Sequence, residues 1–231
     1  VVYSGEKFNG RFPVKYGFFS DAHGDFNAVE SSLMALHDAE EIIFLGDCAG
    51  ERDSEKCIRY LREHGITSVS GNHDRWIFEI KSLSCDNLEY LEKLPLSLER
   101  EGFLVLHSKY EEKGGEYFFQ YVISSRECES VFLHYHHRLV FMGHTHIACV
   151  NELRNDKVLY TSVKSDSIIT LDKDSRYIIN VGMARNCVAV YDSKEDLLQF
   201  RFHHRDTSVE TAGKSNFIQR LFRFLTRRRE N

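Results

Sequence analysis

The chain has 231 residues, 42% of them hydrophobic and 28% charged, with a formal net charge of −5 that leaves 12 histidines uncounted. This balance fits an ordinary globular protein and excludes a global basic field for duplex nucleic acid. No apolar run approaches the ~18 residues of a membrane span, no secretory signal pattern is read at the start, and the six scattered cysteines never form CxxC, so they read as reduced core residues of a cytoplasmic protein.

Lys15 to Ser20 is a short apolar strand that breaks at Asp21-Ala22-His23-Gly24-Asp25. Helical spacing of Val29, Leu33 and Leu36 follows over 26–37. Glu41 to Leu45 is a buried strand by its continuous apolar run, and it breaks at Gly46-Asp47. A helix over about 54–64 turns Cys57, Ile58 and Leu61 inward, and Gly65 fits its C-terminal cap. The strand Ile66 to Ser70 ends in Gly71-Asn72-His73-Asp74. This strand–helix alternation predicts a mainly parallel sheet.

Further on, Asn87 to Leu94 is a short helix stopped by Pro95. Phe103 to Leu106 is a strand ending at His107. Lys109 to Tyr121 is long, aromatic and centred on Gly114-Gly115, which suits either a lid or a packed hairpin tip. Residues 125–135 read as a helix, and Leu139 to Met142 as a strand ending at Gly143-His144-Thr145-His146. Three antiparallel hairpins are predicted after that: Cys149 to Val163 turning at Asn155-Asp156, Ser167 to Val181 turning at Lys173-Asp174-Ser175, and Val188 to Phe202 turning near Ser193-Lys194-Glu195. Residues 214–229 are basic, with Phe217, Ile218, Leu221, Phe222 and Leu225 at helical spacing. They suit a packed terminal helix or an amphipathic contact with a protein partner or an anionic membrane surface.

The chemistry-bearing residues fall just past strand ends. Asp21 and His23 follow the first strand, Asp47 the second, Asn72 and His73 the third, His107 a fourth, and His144 and His146 a fifth. In open α/β sheets that edge is where ligands bind. Core packing does not explain five such placements in order, because buried ionisable groups are costly unless paired or bound to metal. Asp, His and Asn suit divalent metals such as Mn, Fe or Zn. Asp21 with His23, and His144 with His146, can each face a metal from a tight loop. Asp47, between the sets, has two oxygens with which to bridge two cations. A two-metal site of this kind clamps a phosphoryl group and generates hydroxide at neutral pH.

The ordered motifs D-x-H, G-D, G-N-H-D, lone His and G-H-T-H over about residues 15–205 resemble the calcineurin-like metallophosphoesterase superfamily. DAHGDFNAVE, EKCIRYLRE and Ile179-Asn180-Val181-Gly182 resemble its small single-domain prokaryotic phosphodiesterases. The resemblance implies a four-layer α-β-β-α sandwich of two mixed sheets over residues 14–206, between an N-terminal extension (1–13) and the basic tail (207–231). It implies that one metal is held by Asp21, His23, Asp47 and His146, and a second by Asp47, Asn72, His107 and His144. The metals would be two divalent ions, with Mn2+ expected and Fe, Zn, Ni or Co as alternatives. A bridging hydroxide would attack the phosphorus of a phosphorylated small molecule or nucleotide. His73 would assist the leaving oxygen, and Asp74 would orient His73 or its loop.

The late strand end is shorter than the family pattern and lacks its Ser. Asn180 and Arg185 are carried over as substrate-binding residues, with a surface ion pair as the alternative for Arg185. GDCAGER and GNHD depart from the strings of protein phosphatases and dinucleoside tetraphosphatases. A phosphomonoesterase, a nucleotide pyrophosphatase, a lipid-linked pyrophosphatase and a non-catalytic scaffold are the other readings. His134, His136 and His137, and the pair His203-His204, read as helix-end or surface histidines rather than a second metal site.

Overall fold

The computed structural model describes residues 15–50, 53–76, 80, 82–100 and 102–203. The N-terminal extension, Glu51-Arg52, His204 and the basic tail lie outside the described residues. The first elements are β1 (Lys15–Phe19), α1 (Phe26–Ala35), β2 (Glu41–Phe44), α2 (Ser54–Glu63) and β3 (Thr67–Ser68). Then come α3 (Cys85–Lys93), β4 (Ser97–Arg100), β5 (Phe103–Leu106), β6 (Tyr110–Lys113), β7 (Glu116–Phe119) and α4 (Ser125–His134). The chain continues with β8 (Leu139–Met142), β9 (Cys149–Arg154), β10 (Lys157–Ser162), β11 (Ser167–Thr170), β12 (Arg176–Asn180), β13 (Cys187–Asp192) and β14 (Leu197–Phe202).

Two mixed sheets result, ordered β11-β14-β13-β1-β2-β3 and β10-β9-β12-β8-β5-β4, beside a separate β6-β7 ribbon. Strand alternation explains the layers. Tyr16 and Phe18 of β1, Ile43 of β2, Phe103 and Val105 of β5, and Leu139 and Phe141 of β8 face one another between the sheets. The alternate residues Phe19, Ile42 and Phe44 turn outward and pack with Val29, Leu33, Ile58 and Leu61 of α1 and α2. Leu104, Leu106, Val140 and Met142 turn outward from the other sheet, onto Cys128, Val131 and Phe132 of α4. This is the expected four-layer α-β-β-α sandwich.

Ion pairs join the sheets at the end where the parallel strands begin. Arg100 Nη2 of β4 reaches Glu41 Oε1 of β2 at 2.7 Å. Arg138, just before β8, pairs with Asp196 in the β13–β14 turn, and Asp196 also accepts from Tyr191 at 2.7 Å. The opposite end of the same strands carries the loops of the candidate site.

One predicted hairpin is corrected. Residues 167–181 do not fold back on themselves: β11 pairs with β14 in one sheet, while β12 pairs with β8 and β9 in the other. The linking segment crosses the sandwich because Leu171 is drawn into the inter-sheet core, where its N–H donates to Asp196 O at 2.9 Å. The other two hairpins form as expected, and Asn155 and Asp156 both take positive φ, 49° and 59°, the tight two-residue turn. The sequence reading also lacked β4, which pairs antiparallel with β5. Among the described residues no helix is long and apolar enough to cross a membrane. All six cysteines are free, and only Cys85 is exposed.

Phe18 is fully buried between the sheets and stacks on Phe141 with ring centroids 4.0 Å apart. Phe18→Ala is expected to cost about 3–5 kcal/mol of stability, measurable as a lowered urea midpoint.

Candidate metal centre

Both sheets deliver the turns after their strands to one edge. Asp21 N–H donates to Gly46 O and His23 N–H to Asp47 O, each at 3.0 Å, which fastens the β1 turn to the β2 turn. Gly143 N–H donates to His107 O at 3.0 Å, and His144 N–H reaches Asp21 Oδ2 at 3.0 Å, so the two sheets are joined across the edge. Two glycines let carboxylates come this close. A Cβ on Gly71 would collide with Asp47 Oδ1, and a Cβ on Gly143 with Ser20 Oγ and Asp21 Oδ2.

The turns are strained where they present their side chains. Asp21, His23, Asp47, His144 and His146 have φ of 57°, 46°, 61°, 69° and 61°, in the left-handed region that L-residues avoid at a cost of about 1–2 kcal/mol each. Such outliers mark functional turns when neighbouring structure over-determines them.

Three groups of ligand-type atoms lie within 4.8 Å of one another: Asp21 with His23 and His146, His23 with Asp47 and His73, and Asp47 with His107 and His144. The first brings together three of the four residues expected for one metal, without Asp47, and the third three of the four expected for the other, without Asn72. In the first, His23 Nε2 and His146 Nε2 face each other at 3.0 Å, and Asp21 Oδ1 is 3.2 Å from His146 Nε2. In the third, His107 donates from Nδ1 to Leu45 O at 2.8 Å, which fixes the ring and leaves Nε2 toward Asp47 Oδ2 at 3.2 Å. That second contact is close enough for an ion pair but lacks hydrogen-bond geometry.

A cation fits these donors. His107 Nε2, His144 Nε2 and Asn72 Oδ1 are all buried without a hydrogen-bond partner, although buried polar atoms are normally satisfied. Ring nitrogens converging on a carboxylate, with the far nitrogen of His107 tied to a main-chain carbonyl, is the arrangement of metal-ligating histidine.

Charge coupling within the cluster is strong. Burial alone would lower the His107 pKa, but the Asp47 carboxylate and the Leu45 carbonyl outweigh it and hold the ring up at about 9. Burial pushes Asp47 up, and His107, with His73 and His23, pulls it down to about 2. Burial and then the His107 charge press His144 down to about 4. Burial also lowers His23, against the pull of Asp47 and Asp21. The hydrogen bond to Asp21 raises His146.

His73 stands beside the cluster. Its N–H donates to Asp47 Oδ1 at 2.8 Å, and its ring lies between His23 and Trp76, with centroids 4.6 and 4.4 Å away. Asp74 faces the main chain, mostly that of the β2 turn. Its fully buried carboxylate accepts from the N–H groups of Asp47 and Cys48 at 2.8 Å and of Ala49 and Gly71 at 2.9 Å. Burial and the Asp47 charge raise the Asp74 pKa against those four donors.

The two residues expected to bind substrate have partners within the fold. Asn180 is buried and spends both ends of its amide on the main chain, donating to Gly143 O and accepting from Gly182 N–H at 3.0 Å. Both bonds anchor the β8 turn. Arg185 takes the ion-pair alternative: Nη2 lies 3.6 Å from Asp25 Oδ2, and Asp25 is the N-cap of α1. The late histidines form no second cluster among the described residues. His137 lies 3.3 Å from Glu99, and the carbonyls ending α4 are taken by Arg176.

Aromatic neighbours were partly missed. Tyr121 stacks on His144 at 4.2 Å and Phe119 sits 5.6 Å from His107, so the foot of the β6–β7 ribbon packs on the cluster while nothing lies within 4 Å of a Cβ at Gly114 or Gly115 at its tip. The ribbon was visible as an aromatic stretch. Trp76 carried only one signal, its place three residues after His73.

The domain family described as "Calcineurin-like phosphoesterase superfamily domain" matches residues 14–189, more than half of the chain. The chain belongs to this superfamily. Its fold is also that of a metallophosphoesterase from Sphaerobacter thermophilus, at a TM-score of 0.70 and 21% identity over 92% of this chain and 98% of that one. An uncharacterized protein of Methanocaldococcus jannaschii is 28% identical over 186 residues, 71% of this chain and 73% of that protein. Membership in the calcineurin-like superfamily makes the chain a phosphoester hydrolase of a metal-dependent family.

Asp74→Asn supplies one acceptor oxygen where four N–H groups need acceptors. It is expected to cost about 2–4 kcal/mol, seen as a lowered denaturation midpoint. The His107 shift has a definite sign. Its folded pKa of about 9 lies above the ordinary 6.5. The stabilisation from its pairing with Asp47 is therefore complete below about pH 6.5 and lost as pH rises through about 9. A cation must displace that proton, so divalent-cation affinity is expected to rise over the same window with proton release. Calorimetric titrations in buffers of different protonation enthalpy check this, and affinity independent of pH would contradict it.

Proposed function

We propose that the chain is a phosphodiesterase using two divalent cations, with Mn2+ as the expected ion. The observation that carries this reading is the shared position of Asp47, between Asp21, His23 and His146 on one side and His107 and His144 on the other, with unsatisfied donors on the second side. Asp21, His23, Asp47 and His146 would hold one cation, and Asp47, Asn72, His107 and His144 the other. Bound divalent cations supply positive charge for phosphoryl oxygens and lower the pKa of water.

The protein's own residues supply the rest. The four N–H bonds to Asp74 keep the Asp47 loop from moving as charge develops. The Leu45 carbonyl keeps a proton on His107 Nδ1, so that Nε2 can serve as a ligand. His73 is tethered through its backbone to Asp47 and is not needed in either ligand set. It holds a ring proton at the edge of the cluster and gives it to the departing ester oxygen, a general-acid role worth about 10²–10⁴ in rate. Removing that proton source matters more for an alkoxide than for a good leaving group such as p-nitrophenolate.

Metal-stripped protein resupplied with Mn2+ is expected to hydrolyse bis-p-nitrophenyl phosphate faster than p-nitrophenyl phosphate. Asp47→Ala should lose both bound metal and turnover. His73→Ala should retain metal and lose kcat, about 10²-fold or more with an alkyl leaving group. Turnover of the monoester alone would move the assignment to a phosphomonoesterase. Full metal loading with no turnover of either ester would favour a non-catalytic scaffold.

A further inference from the structure

The cluster has two unlike flanks. His23 lies in the middle, with His73 at a ring distance of 4.6 Å and His146 at 4.9 Å. Beyond His73 is the half-exposed Trp76. Beyond His146 is a cavity of about 310 Å³ in which His146 itself is part of the wall. That volume is at the lower end for a small-molecule site, the size of one substituent rather than a whole cofactor.

The lining is amphipathic. Val163 and Phe202 contribute apolar surface from the inter-sheet core, while Ser162, Lys164 and Asn186 bring polar groups to the rim. Lys164 is exposed, and no carboxylate among the described residues pairs with it. Arg185, by contrast, is paired with Asp25. A cation that lines the same cavity as His146, and has no carboxylate partner among the described residues, favours an anion there.

We propose that this cavity is the subsite for the ester arm that a phosphodiester keeps, and that Lys164 selects an arm bearing a negative charge, a carboxylate or a further phosphate. The inference rests on the phosphodiesterase reading and deepens it. A phosphoryl group on the cluster directs its leaving oxygen toward His73, so its other substituent points away, past His23 toward His146. Water adds to phosphorus, the bond to the leaving oxygen breaks, and that oxygen departs with a proton. The retained arm's own P–O bond stays intact, and the product is a monoester seated in the cavity. A monoester substrate would leave the cavity empty and forgo its binding energy.

The test uses two mixed diesters on the Mn2+-loaded full chain: p-nitrophenyl 3-carboxypropyl phosphate and p-nitrophenyl butyl phosphate. The wild-type chain is expected to favour the carboxypropyl ester in kcat/KM by about fivefold, the size of a rim ion pair. The preference should fall to about one in Lys164→Ala and invert in Lys164→Glu, with the change in KM rather than kcat. Hydrolysis of both esters at a ratio that neither variant moves would overturn the subsite and spare the phosphodiesterase reading. If neither ester is hydrolysed, their Kd values are read from quenching of Trp76, the single tryptophan of the chain. A Lys164-dependent preference in Kd would keep the subsite and remove the phosphodiesterase reading, and equal Kd values would overturn the subsite.

Discussion

Two carboxylate oxygens on Asp74 receive four main-chain N–H groups, three from consecutive residues 47–49 and one from Gly71. Residues 47–49 lie outside any helix or strand, so no helix or ladder carbonyl takes their N–H groups. They need an external acceptor, and a buried carboxylate is the strongest available. Because Asp74 comes from the turn after β3 and its donors from the turn after β2, the bonds fix two strand ends together. They also set Asp47 in a left-handed conformation with its side chain in the centre of the cluster. The position of His73 follows, since its N–H is held by Asp47 Oδ1. One buried acid thus governs the placement of both the shared carboxylate and its neighbouring histidine.

The sandwich divides its labour between its ends. Where the parallel strands begin, charges are paired: Arg100 with Glu41, and Arg138 with Asp196. Where they finish, polar atoms are buried and left without hydrogen bonds. Each such atom costs about 1–3 kcal/mol unless something occupies it. The inter-sheet core of stacked and edge-on phenylalanines between the two ends keeps the sheets from sliding and so preserves both arrangements.

The fold and the cluster were legible in the sequence for a physical reason. Ligands at strand ends leave a local signature, an apolar run broken by Gly, Asp, Asn or His, and five such breaks in order constrain the topology. What failed was information that a string does not hold locally. The bonds of Asn180 go to Gly182 and to Gly143, 37 positions away, and nothing near Asn180 reveals that its amide is already in use. The segment 167–181 has the composition of a hairpin, yet Leu171 serves the inter-sheet core and sends β11 and β12 to different sheets. Lys164 lies in an ordinary loop, and only the tertiary structure puts it on the same cavity as His146.

Five of the residues that crowd the cluster hold positive φ without being glycine. Asparagine or glycine would sit in those turns at lower backbone cost, and neutral or absent side chains there would also end the charge crowding around Asp47. His23, His144 and His146 therefore carry a backbone cost that only their side chains justify. In a lineage released from the need to bind an ion, backbone cost alone would favour such replacements at the three histidines, while Asp21 and Asp47 would be kept by the main-chain N–H groups they accept.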